Sequence, residues 1–331
     1  MRTPRRLMLS QKMLDELGAR ILQNVQGVDI ELVSIESAVA AQRRDIHAVF
    51  ISREVTGTST KHEVHPELQA CYDLMLNNAG LQWVHIHSAG ADRPVYQALQ
   101  QRGVQVSTSS GANARVVAAM ALAGLLALNK RFPMLWAQQQ RREWLPLLGV
   151  GRMPRDLPGQ TATIVGWGPI GQELAQLLSA LGLNVIAVRT HDAQPQGGVE
   201  MVRFEQMNTV LPRTDWLVLA CPLTTTTRGL VNAQVFQELP QGAHLINVAR
   251  GEVVVQDALI NQLQSGHLGG AFLDVFEHEP LPATSPLWTL PNVMVTPHAA
   301  GHSDGNAQRV NQMFLDNFQR WVGGQPLKNV A

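Results

Sequence analysis

The stretch TATIVGWGPIGQELAQLL, residues 161–178, decides the fold of this chain. A β-branched, apolar run leads into three glycines, Gly166, Gly168 and Gly171, and a helix-like run follows them. In the spacing Gly-x-Gly-x-x-Gly, the first glycine makes a tight turn, the second lets a pyrophosphate approach the backbone, and the third lets helix and strand pack closely. The alternative is a plain glycine-rich turn, but the flanking strand and helix favour a dinucleotide-binding turn formed by Gly166, Trp167, Gly168, Pro169, Ile170 and Gly171.

The same alternation of strand-like and helix-like segments extends along the whole chain and predicts the α/β class. The glycine turn belongs to a series of six strands with helices between them, which makes a complete doubly wound sheet. An earlier series of five strands predicts a second parallel sheet. We expect the boundary near residue 110 and expect the amphipathic C-terminal segment to return to the first domain. The predicted domains are therefore 1–110, completed by about 300–331, and 111–299.

The composition excludes several classes of partner. Lys plus Arg and Asp plus Glu number 26 each among the 331 residues, so no net field favours nucleic acid or an anionic membrane, and we expect a small-molecule partner. Only Cys71 and Cys221 are present, which is typical of a reduced, cytoplasmic compartment. The N-terminal segment lacks the apolar core of a signal peptide. The apolar run at 116–128 is shorter than the roughly 20 residues that span a bilayer.

A basic residue ends the strand that follows the glycine turn. Arg189 stands 18 residues after Gly171, where a protein that binds NAD would carry an acidic residue for the ribose hydroxyls. A guanidinium group suits a 2′-phosphate, and Thr190 and His191 could add donors. We therefore expect a preference for NADP(H), with NAD(H) possible. The alternative is an ordinary exposed arginine, with Asp192 holding the ribose.

Three later strand ends carry charged or titratable side chains. Arg250 follows the strand AHLINVA, the acidic segment DVFEHEPLP (274–282) follows GGAFLDV, and His298 follows NVMV. The carboxyl ends of parallel strands share one edge, where ligands collect, so a cation, a carboxylate and an imidazole meet there. A protonated His298 would act as general acid toward a carbonyl oxygen, and a carboxylate on its other ring nitrogen would fix the tautomer and favour the imidazolium. Arg250 would bind a substrate carboxylate through its planar fork.

Taken together, the motifs resemble the D-isomer-specific 2-hydroxyacid dehydrogenases, closest to the glyoxylate and hydroxypyruvate reductase branch. The resemblance covers nearly the whole chain and rests on HSAGAD, TSSGANARVVA, VGWGPIG, CPLTTTTRGLVN, LINVARGEVV, DVFEHEPLP and TPHAAG, in this order. It implies a Rossmann coenzyme domain and a flavodoxin-like substrate domain with a cleft between them. It also implies a cytoplasmic homodimer that reduces small 2-keto acids to D-2-hydroxy acids.

The resemblance assigns roles to individual residues. It implies Arg250, Glu279 and His298 as the catalytic set, with His298 the acid in reduction and the base in oxidation, and leaves Glu277 facing solvent. Backbone amides at Ala89 and Gly90 would hold the substrate carboxylate, together with Arg250 and His298. Besides the glycine turn and the segment of Arg189, the coenzyme would contact residues that follow later strands, with Asp274 on the nicotinamide carboxamide: Cys221, Pro222, Val248, Ala249, Asp274, His298 and Ala300.

Three other features are less informative. Ala119 and Met120 stand where the family commonly has Glu-His, which affects helix packing and the dimer contact but not the proposed chemistry. Trp136 and Trp144 flank the basic, glutamine-rich segment AQQQRREW, interpreted as a loop that is either a solvated turn or, as the resemblance suggests, a segment that reaches the active site of a partner subunit. The two histidines of KHEVHP are three apart, whereas HExxH requires four, so we expect no metal site.

Two other functions stay open at this point. One is an NAD-linked dehydrogenase of another D-2-hydroxy acid, which coenzyme choice would separate from the leading interpretation. The other is a dinucleotide-sensing binding protein, as the family's transcriptional corepressors are. The intact set of Arg250, Glu279 and His298 favours an enzyme, although a sensor can keep these residues too.

Overall fold

The chain forms two compact α/β units in a computed structural model that describes residues 4–23, 25, 27–59, 63–148, 153–190 and 197–331. Unit 1 comprises Met1–Asn113 and Ser303–Ala331, and unit 2 comprises Ala114–His302. The expected class of two parallel-sheet α/β domains is confirmed, because one unit holds a five-stranded and the other a seven-stranded parallel sheet.

Unit 1 is built on a parallel sheet of strand order β2-β1-β3-β4-β5, the flavodoxin-like order. Its elements are β1 (Arg5–Leu9), α1 (Gln11–Gln23), β2 (Ile30–Ser34), α2 (Ile35–Ala40), β3 (Ala48–Ile51), α3 (Arg53–Thr56), α4 (Pro66–Asn77), β4 (Trp83–Ile86), α5 (Pro94–Gln101) and β5 (Gln105–Thr108). Strands β3 and β4 are buried at every position, as expected for a parallel sheet covered on both faces.

The C-terminal helix completes the core of unit 1. It is the last helix of the chain, which we number α11 (Asn306–Val322), and its apolar face carries Phe314 and Phe318, both buried. Phe314 stacks on Phe50 of β3 with ring centroids 4.2 Å apart. Beyond the helix, the N–H of Ala331 donates to the carbonyl of Val106, so the end of the chain pairs with β5.

Unit 2 contains the glycine turn. Its elements, which precede α11 in the chain, are α6 (Ala114–Asn129), α7 (Phe132–Arg141), β6 (Thr161–Val165), α8 (Pro169–Ala180), β7 (Asn184–Arg189), β8 (Glu200–Arg203), β9 (Trp216–Leu219), α9 (Ala233–Glu238), β10 (His244–Asn247), α10 (Gln256–Gln264), β11 (Gly270–Leu273) and β12 (Val293–Val295). All pairings are parallel in the order β12-β11-β10-β9-β6-β7-β8, which contains the Rossmann order.

The prediction of six strands in this sheet was wrong by one, because β8 was missed. Its four residues EMVR are only partly buried or exposed, and the strand lies at the edge of the sheet. Only the two central residues of this short edge strand, Met201 and Val202, pack against the core, so its sequence carries little signal.

The segment AQQQRREW, residues 137–144, was predicted as a loop, and this was wrong for its first five residues. Helix α7 extends through Arg141 and ends at Arg142, which has left-handed backbone angles. Of its residues only Gln138 is buried, so the helix lacks the apolar stripe that reveals a helix in sequence. Trp136 and Trp144 are 61 % and 94 % exposed, which makes this one of the most apolar surfaces of unit 2.

No single helix in the described ranges is long and apolar enough to cross a membrane. Helices α6 and α7 meet the criteria of length and composition only as a pair, and the pair is bent by 67°.

Candidate active site

The glycine turn lies between β6 and α8, and each glycine has its own steric reason. Gly166 has φ +111°, and a Cβ there would lie 2.7 Å from the carbonyl oxygen of Ala220. A Cβ at Gly171 would lie 2.1 Å from the carbonyl oxygen of Gly166, so the helix can approach the strand only without a side chain. At Gly168 a Cβ would meet no atom within 4 Å. The first and third glycines are therefore required by packing, whereas the second leaves open space beside the backbone.

This open space suits the pyrophosphate of a dinucleotide. Helix α8 begins at Pro169, so its amino end and the positive end of its dipole face the turn. Helix amino ends bind anions through their unpaired N–H groups. The residues of the turn, 166–171, therefore fit the group that the sequence predicted for them.

Arg189 ends β7, the strand next to β6. Its Nε is buried and has no hydrogen-bond partner among the described residues. Leaving a buried donor of a charged group without a hydrogen-bond partner costs free energy. The Nε of Arg189 is therefore a candidate for contact with a ligand. Thr190 follows directly, whereas His191, also predicted to contact the coenzyme, lies outside the described residues.

The segment after β10 carries Arg250. The side chain of Asn247 fixes its backbone: Nδ2 donates to the Arg250 carbonyl at 3.2 Å, and Oδ1 accepts from the Ala249 N–H at 3.1 Å. The guanidinium Nη1 donates to the carbonyl of Ala249 at 2.8 Å. A Cβ at Gly251 would lie 1.8 Å from the carbonyl carbon of Phe276, so the segments after β10 and β11 are in direct backbone contact. Val248 and Ala249 are buried in the same segment.

The predicted imidazole and carboxylate form a hydrogen-bonded pair. Nδ1 of His298 donates to Oε2 of Glu279 at 2.8 Å, and Oε1 of Glu279 accepts the N–H of Phe276 at 3.1 Å. The His298 side chain is 49 % exposed and that of Glu279 is 25 % exposed. The pair therefore holds one ring nitrogen, while the exposed ring leaves Nε2 for another partner.

Glu279 is held in its ionised form. Burial opposes ionisation, but the hydrogen bond and charge of His298, the N–H of Phe276 and the charge of Arg250 outweigh it and lower the pKa of the Glu279 carboxyl below its usual value. The three segments thus supply a carboxylate that interacts with both the guanidinium group of Arg250 and the imidazole of His298. This is the arrangement expected of an acid–base site.

His298 has an unusual backbone conformation, and Asp274 supports it. The residue has φ +50°, and its N–H donates to the carbonyl of Asp274 at 2.9 Å. The Asp274 side chain is buried and accepts three hydrogen bonds, from Thr296 Oγ1 at 2.6 Å, the Ala299 N–H at 2.8 Å and the Ala300 N–H at 3.0 Å. The aspartate therefore holds both sides of the loop that presents the imidazole.

The sequence analysis did not predict that Asp274 holds this loop, and it assigned no role to Thr296, whose hydroxyl donates to Asp274. The contact of Asp274 with a nicotinamide carboxamide stays a prediction. The available signal was weak: an aspartate at the end of one strand and a threonine at the end of the next, which register places side by side. Asn247 was missed too, although it ends β10 directly before the segment of Arg250.

Glu277 was expected to face solvent, and this was wrong. Its Oε1 accepts the N–H of Gln256 at 2.9 Å, where α10 begins, and the side chain is partly buried. A carboxylate at a helix amino end satisfies a donor that has no partner within the helix. Glu277 thus fixes the acidic segment to α10, and Glu279 two residues later turns to the histidine.

Cys221 and Pro222 follow β9 at the same edge of the sheet. Burial raises the pKa of the Cys221 thiol to about 12, against smaller opposite effects of a backbone hydrogen bond and the charge of Arg250. The sulfur is therefore a neutral, apolar surface and not a nucleophile.

Ala89 and Gly90 belong to unit 1, in the turn after β4. The hydroxyl of Ser88 donates to the carbonyl of Gly90 at 2.9 Å and closes this turn. Among the described residues no acceptor takes the N–H of Ala89 or Gly90, and Ala89 is exposed. These amides are free to bind a carboxylate.

Within the described ranges no three metal-ligating side chains come together, so the structure offers no metal site there.

Comparisons with known proteins agree with the geometry. The family model described as D-isomer specific 2-hydroxyacid dehydrogenase, NAD binding domain, matches residues 122–300. The chain is 32 % identical over 260 residues to a glyoxylate reductase of Korarchaeum cryptofilum, covering 76 % of each protein, and 29 % identical over 250 residues to human glyoxylate reductase/hydroxypyruvate reductase, covering 75 % and 76 %. Its structure is similar to that of an NADPH-dependent glyoxylate/hydroxypyruvate reductase from Sinorhizobium meliloti in complex with NADP and sulfate, with TM-score 0.74, 28 % identity and coverage of 99 % and 98 %.

Proposed function

The chain belongs to the D-isomer-specific 2-hydroxyacid dehydrogenases and is an NAD(P)-dependent oxidoreductase, and we propose that it reduces glyoxylate, hydroxypyruvate or similar small 2-keto acids to D-2-hydroxy acids. The observation that carries this proposal is the 2.8 Å hydrogen bond between His298 and Glu279. A carboxylate that holds one ring nitrogen sets the other as the proton donor.

His298 is the general acid of the reduction. When bound, the coenzyme supplies the hydride, and negative charge then develops on the keto oxygen of the substrate. Nε2 of His298 donates a proton to that oxygen, while ionised Glu279 stabilises the imidazolium before transfer. In the oxidation direction the same nitrogen accepts the proton.

Arg250 binds the substrate and orients it. Its segment is fixed by Asn247, and it lies close enough to Glu279 and Cys221 for its positive charge to favour the ionised form of each, although burial still dominates at Cys221. A guanidinium group offers two parallel donors to a carboxylate and can also polarise the adjacent keto oxygen.

The coenzyme is NADP(H) in preference to NAD(H). Gly166, Gly168 and Gly171 would hold the pyrophosphate, and the unpartnered Nε of Arg189 suits a 2′-phosphate. The S. meliloti relative, which has NADP in its structure, supports this choice. Asp274, Cys221, Pro222 and Ala300 belong to the proposed nicotinamide side of the site.

The functional molecule is a homodimer in the cytoplasm. Trp136, Trp144, Leu145 and Leu148 expose large apolar areas, and a surface cavity of about 590 Å³ lies between α7 and residues 142–147. A second copy can bury such a surface through a two-fold interface. Sedimentation of wild type and Trp144→Ser tests this: we expect a dimer and a weakened dimer, and a wild-type monomer at micromolar concentration would contradict the proposal. Both cysteines are free thiols, in keeping with a reducing compartment.

A coenzyme-oxidation assay tests the reaction. We expect turnover with NADPH on glyoxylate and hydroxypyruvate, slower turnover on a bulkier 2-keto acid, and a lower kcat/KM with NADH. Turnover with NADH alone would contradict the coenzyme preference but not the acid–base pair. Tight coenzyme binding without turnover of any of these acids would contradict the proposed reaction.

A further inference from the structure

The chain passes from unit 1 to unit 2 after Asn113 and returns to unit 1 after His302. A movement of one unit against the other must therefore be absorbed by backbone rotations around these two points. We call residues 112–114 the outward crossing and residues 302–306 the return crossing. The contacts of the two crossings determine how easily such rotations occur.

One arginine of α11 holds both crossings. Nε of Arg309 donates to the carbonyl of Ala112 at 2.5 Å, and its Nη2 donates to the hydroxyl of Ser303 at 2.9 Å. All three residues belong to unit 1, so these contacts lie within one compact unit. A guanidinium group presents its donors in a rigid, planar fork, which lets one side chain hold two segments at once. Arg309 thus joins two points of the chain that are separated in sequence by the whole of unit 2.

The return crossing leaves room for this arginine. A Cβ at Gly305 would lie 2.7 Å from Nη1 of Arg309, so a side chain there would displace the guanidinium group. Gly305 has φ −81°, which any residue adopts, and the glycine therefore provides space and not a special backbone conformation. The next residue of the helix, Val310, is buried in the same hydrophobic cluster as Ala112 and Phe314. The start of α11 and the outward crossing thus share one core.

Two buried amide oxygens at the crossings have no partner. Oδ1 of Asn113, directly before α6, and Oδ1 of Asn306, the first residue of α11, accept no hydrogen bond from any residue that the structure describes. An asparagine directly before a helix commonly accepts an N–H of the first helical turn, and Asn113 does not. A buried acceptor without a partner costs free energy, and such costs are typical of segments that switch between two arrangements.

We propose that Arg309 is the latch of a hinge at the two crossings. It stabilises the observed arrangement, and its bond to Ala112 breaks in a second arrangement, in which the Asn113 side chain caps α6. The two sets of hydrogen bonds compete, so residues that touch neither coenzyme nor keto acid set the equilibrium between the arrangements. Arg309 is therefore a positioning residue. The inference rests on the proposed binding of NADP(H), because it holds that the coenzyme binds the two arrangements unequally.

Calorimetric binding of NADPH to the full chain tests this competition in wild type, Arg309→Gln, Asn113→Ala and the double variant. Arg309→Gln removes the bonds that hold the observed arrangement, and Asn113→Ala removes the cap that favours the second one. We expect the two variants to shift the dissociation constant in opposite directions, each by about three- to tenfold, which is the effect of one hydrogen bond on an equilibrium. The double variant should lie near wild type. Arg309→Lys keeps the charge but not the fork, so it should shift binding less than Arg309→Gln.

Arg320→Gln is the matched control, because Arg320 lies near the other end of α11 and its Nη1 donates to the carbonyl of Pro326 at 3.0 Å. Hydrogen exchange of the chain without added coenzyme gives a second readout, which does not depend on the proposed reaction. We expect the amide hydrogens of Ala112 and Asn306 to exchange about three- to tenfold faster in Arg309→Gln and at the wild-type rate in Arg320→Gln.

Several results would overturn the inference. It fails if Arg309→Gln and Asn113→Ala shift NADPH binding in the same direction or not at all, or if the crossings exchange equally fast in Arg309→Gln and Arg320→Gln. A lower Tm of Arg309→Gln without opposite shifts in binding would make Arg309 an ordinary structural contact. Faster exchange in Arg309→Gln, together with no turnover of any keto acid by wild type, would contradict the proposed reaction and support the latch.

Discussion

Replacing Asp274 by asparagine tests whether this residue holds the catalytic loop. The carboxylate accepts hydrogen bonds from Thr296, Ala299 and Ala300 at 2.6–3.0 Å and is 2 % exposed. Asparagine has nearly the same volume and keeps one acceptor oxygen. The substitution therefore removes charge and one acceptor without creating a cavity.

The magnitude follows from the three contacts. Asparagine Oδ1 can still accept from Thr296 and Ala299, but those bonds lose their charge assistance, at about 1 kcal/mol each. Nδ2 replaces the oxygen that faces the N–H of Ala300, so two donors meet in a buried site, which costs about 1–3 kcal/mol. The substitution therefore removes about 3–5 kcal/mol of the stabilisation of this loop. The left-handed backbone conformation of His298 itself costs roughly 1–2 kcal/mol, which the remaining contacts of the loop no longer offset. We expect the loop to leave this conformation.

We expect Asp274→Asn to lower kcat far more than it weakens binding of the coenzyme. Once the loop relaxes, the imidazole no longer meets Glu279, and the rate loses most of the roughly 10²- to 10⁴-fold contribution of general acid catalysis. Steady-state kcat, calorimetric dissociation constants for the coenzyme and Tm are measured on Asp274→Asn. Asp257→Asn, an exposed aspartate in the first turn of α10, is the control.

Two outcomes would refute this reasoning. Wild-type kcat within about threefold would show that the loop holds without the charge. A raised dissociation constant for the coenzyme at unchanged kcat would instead support contact with the nicotinamide carboxamide as the main role of Asp274.

The remaining predictions concern the acid–base pair, the glycine turn and one buried histidine. Because the pKa of the Glu279 carboxyl lies below its usual value, the ionised carboxylate is lost only at pH values more acidic than that usual value. In Glu279→Gln, whose side chain does not ionise, we expect this acidic limb of the pH–rate profile for keto acid reduction to disappear, and an unchanged profile would contradict the role of the carboxylate. Gly168→Ala should keep the wild-type Tm but weaken coenzyme binding at least tenfold. Gly171→Ala should weaken coenzyme binding and also lower Tm, because its Cβ would lie 2.1 Å from the carbonyl oxygen of Gly166. Equal Tm values for the two variants would refute the steric argument. Burial lowers the pKa of His85 to about 3, so between about pH 6.5 and 3 the unfolded chain binds a proton at this residue that the folded chain does not. The free energy of unfolding should therefore fall as the pH drops below about 6.5, with a slope approaching 1.4 kcal/mol per pH unit for this residue. In urea titrations His85→Gln should show a smaller slope than wild type, and His65→Gln, at an exposed histidine, is the control.

The fold class could be predicted because the central strands are buried on both faces. TATIV and HLIN are short runs rich in apolar residues between glycine turns, and such runs in alternation with helices give a parallel sheet. β8 and α7 escaped prediction for the opposite reason: each lies at an edge or on the surface and buries too few residues to impose a period.

The site was predictable wherever chemistry demands one residue type. An acidic segment and a histidine at successive strand ends indicated an acid–base pair, the family resemblance singled out Glu279 within that segment, and the structure joins Glu279 to His298 at 2.8 Å. The supporting contacts of Asp274 and Glu277 depend on how two loops fold against their neighbours, which local sequence does not determine.

The most direct test of the account is the single-turnover reduction of glyoxylate by enzyme loaded with NADPH, measured for wild type and His298→Asn. The account predicts that the variant binds NADPH with an unchanged dissociation constant, while the rate of hydride transfer falls by about 10²- to 10⁴-fold. A variant that transfers hydride at the wild-type rate, or that loses coenzyme binding and rate to the same extent, would contradict the role of His298 as general acid.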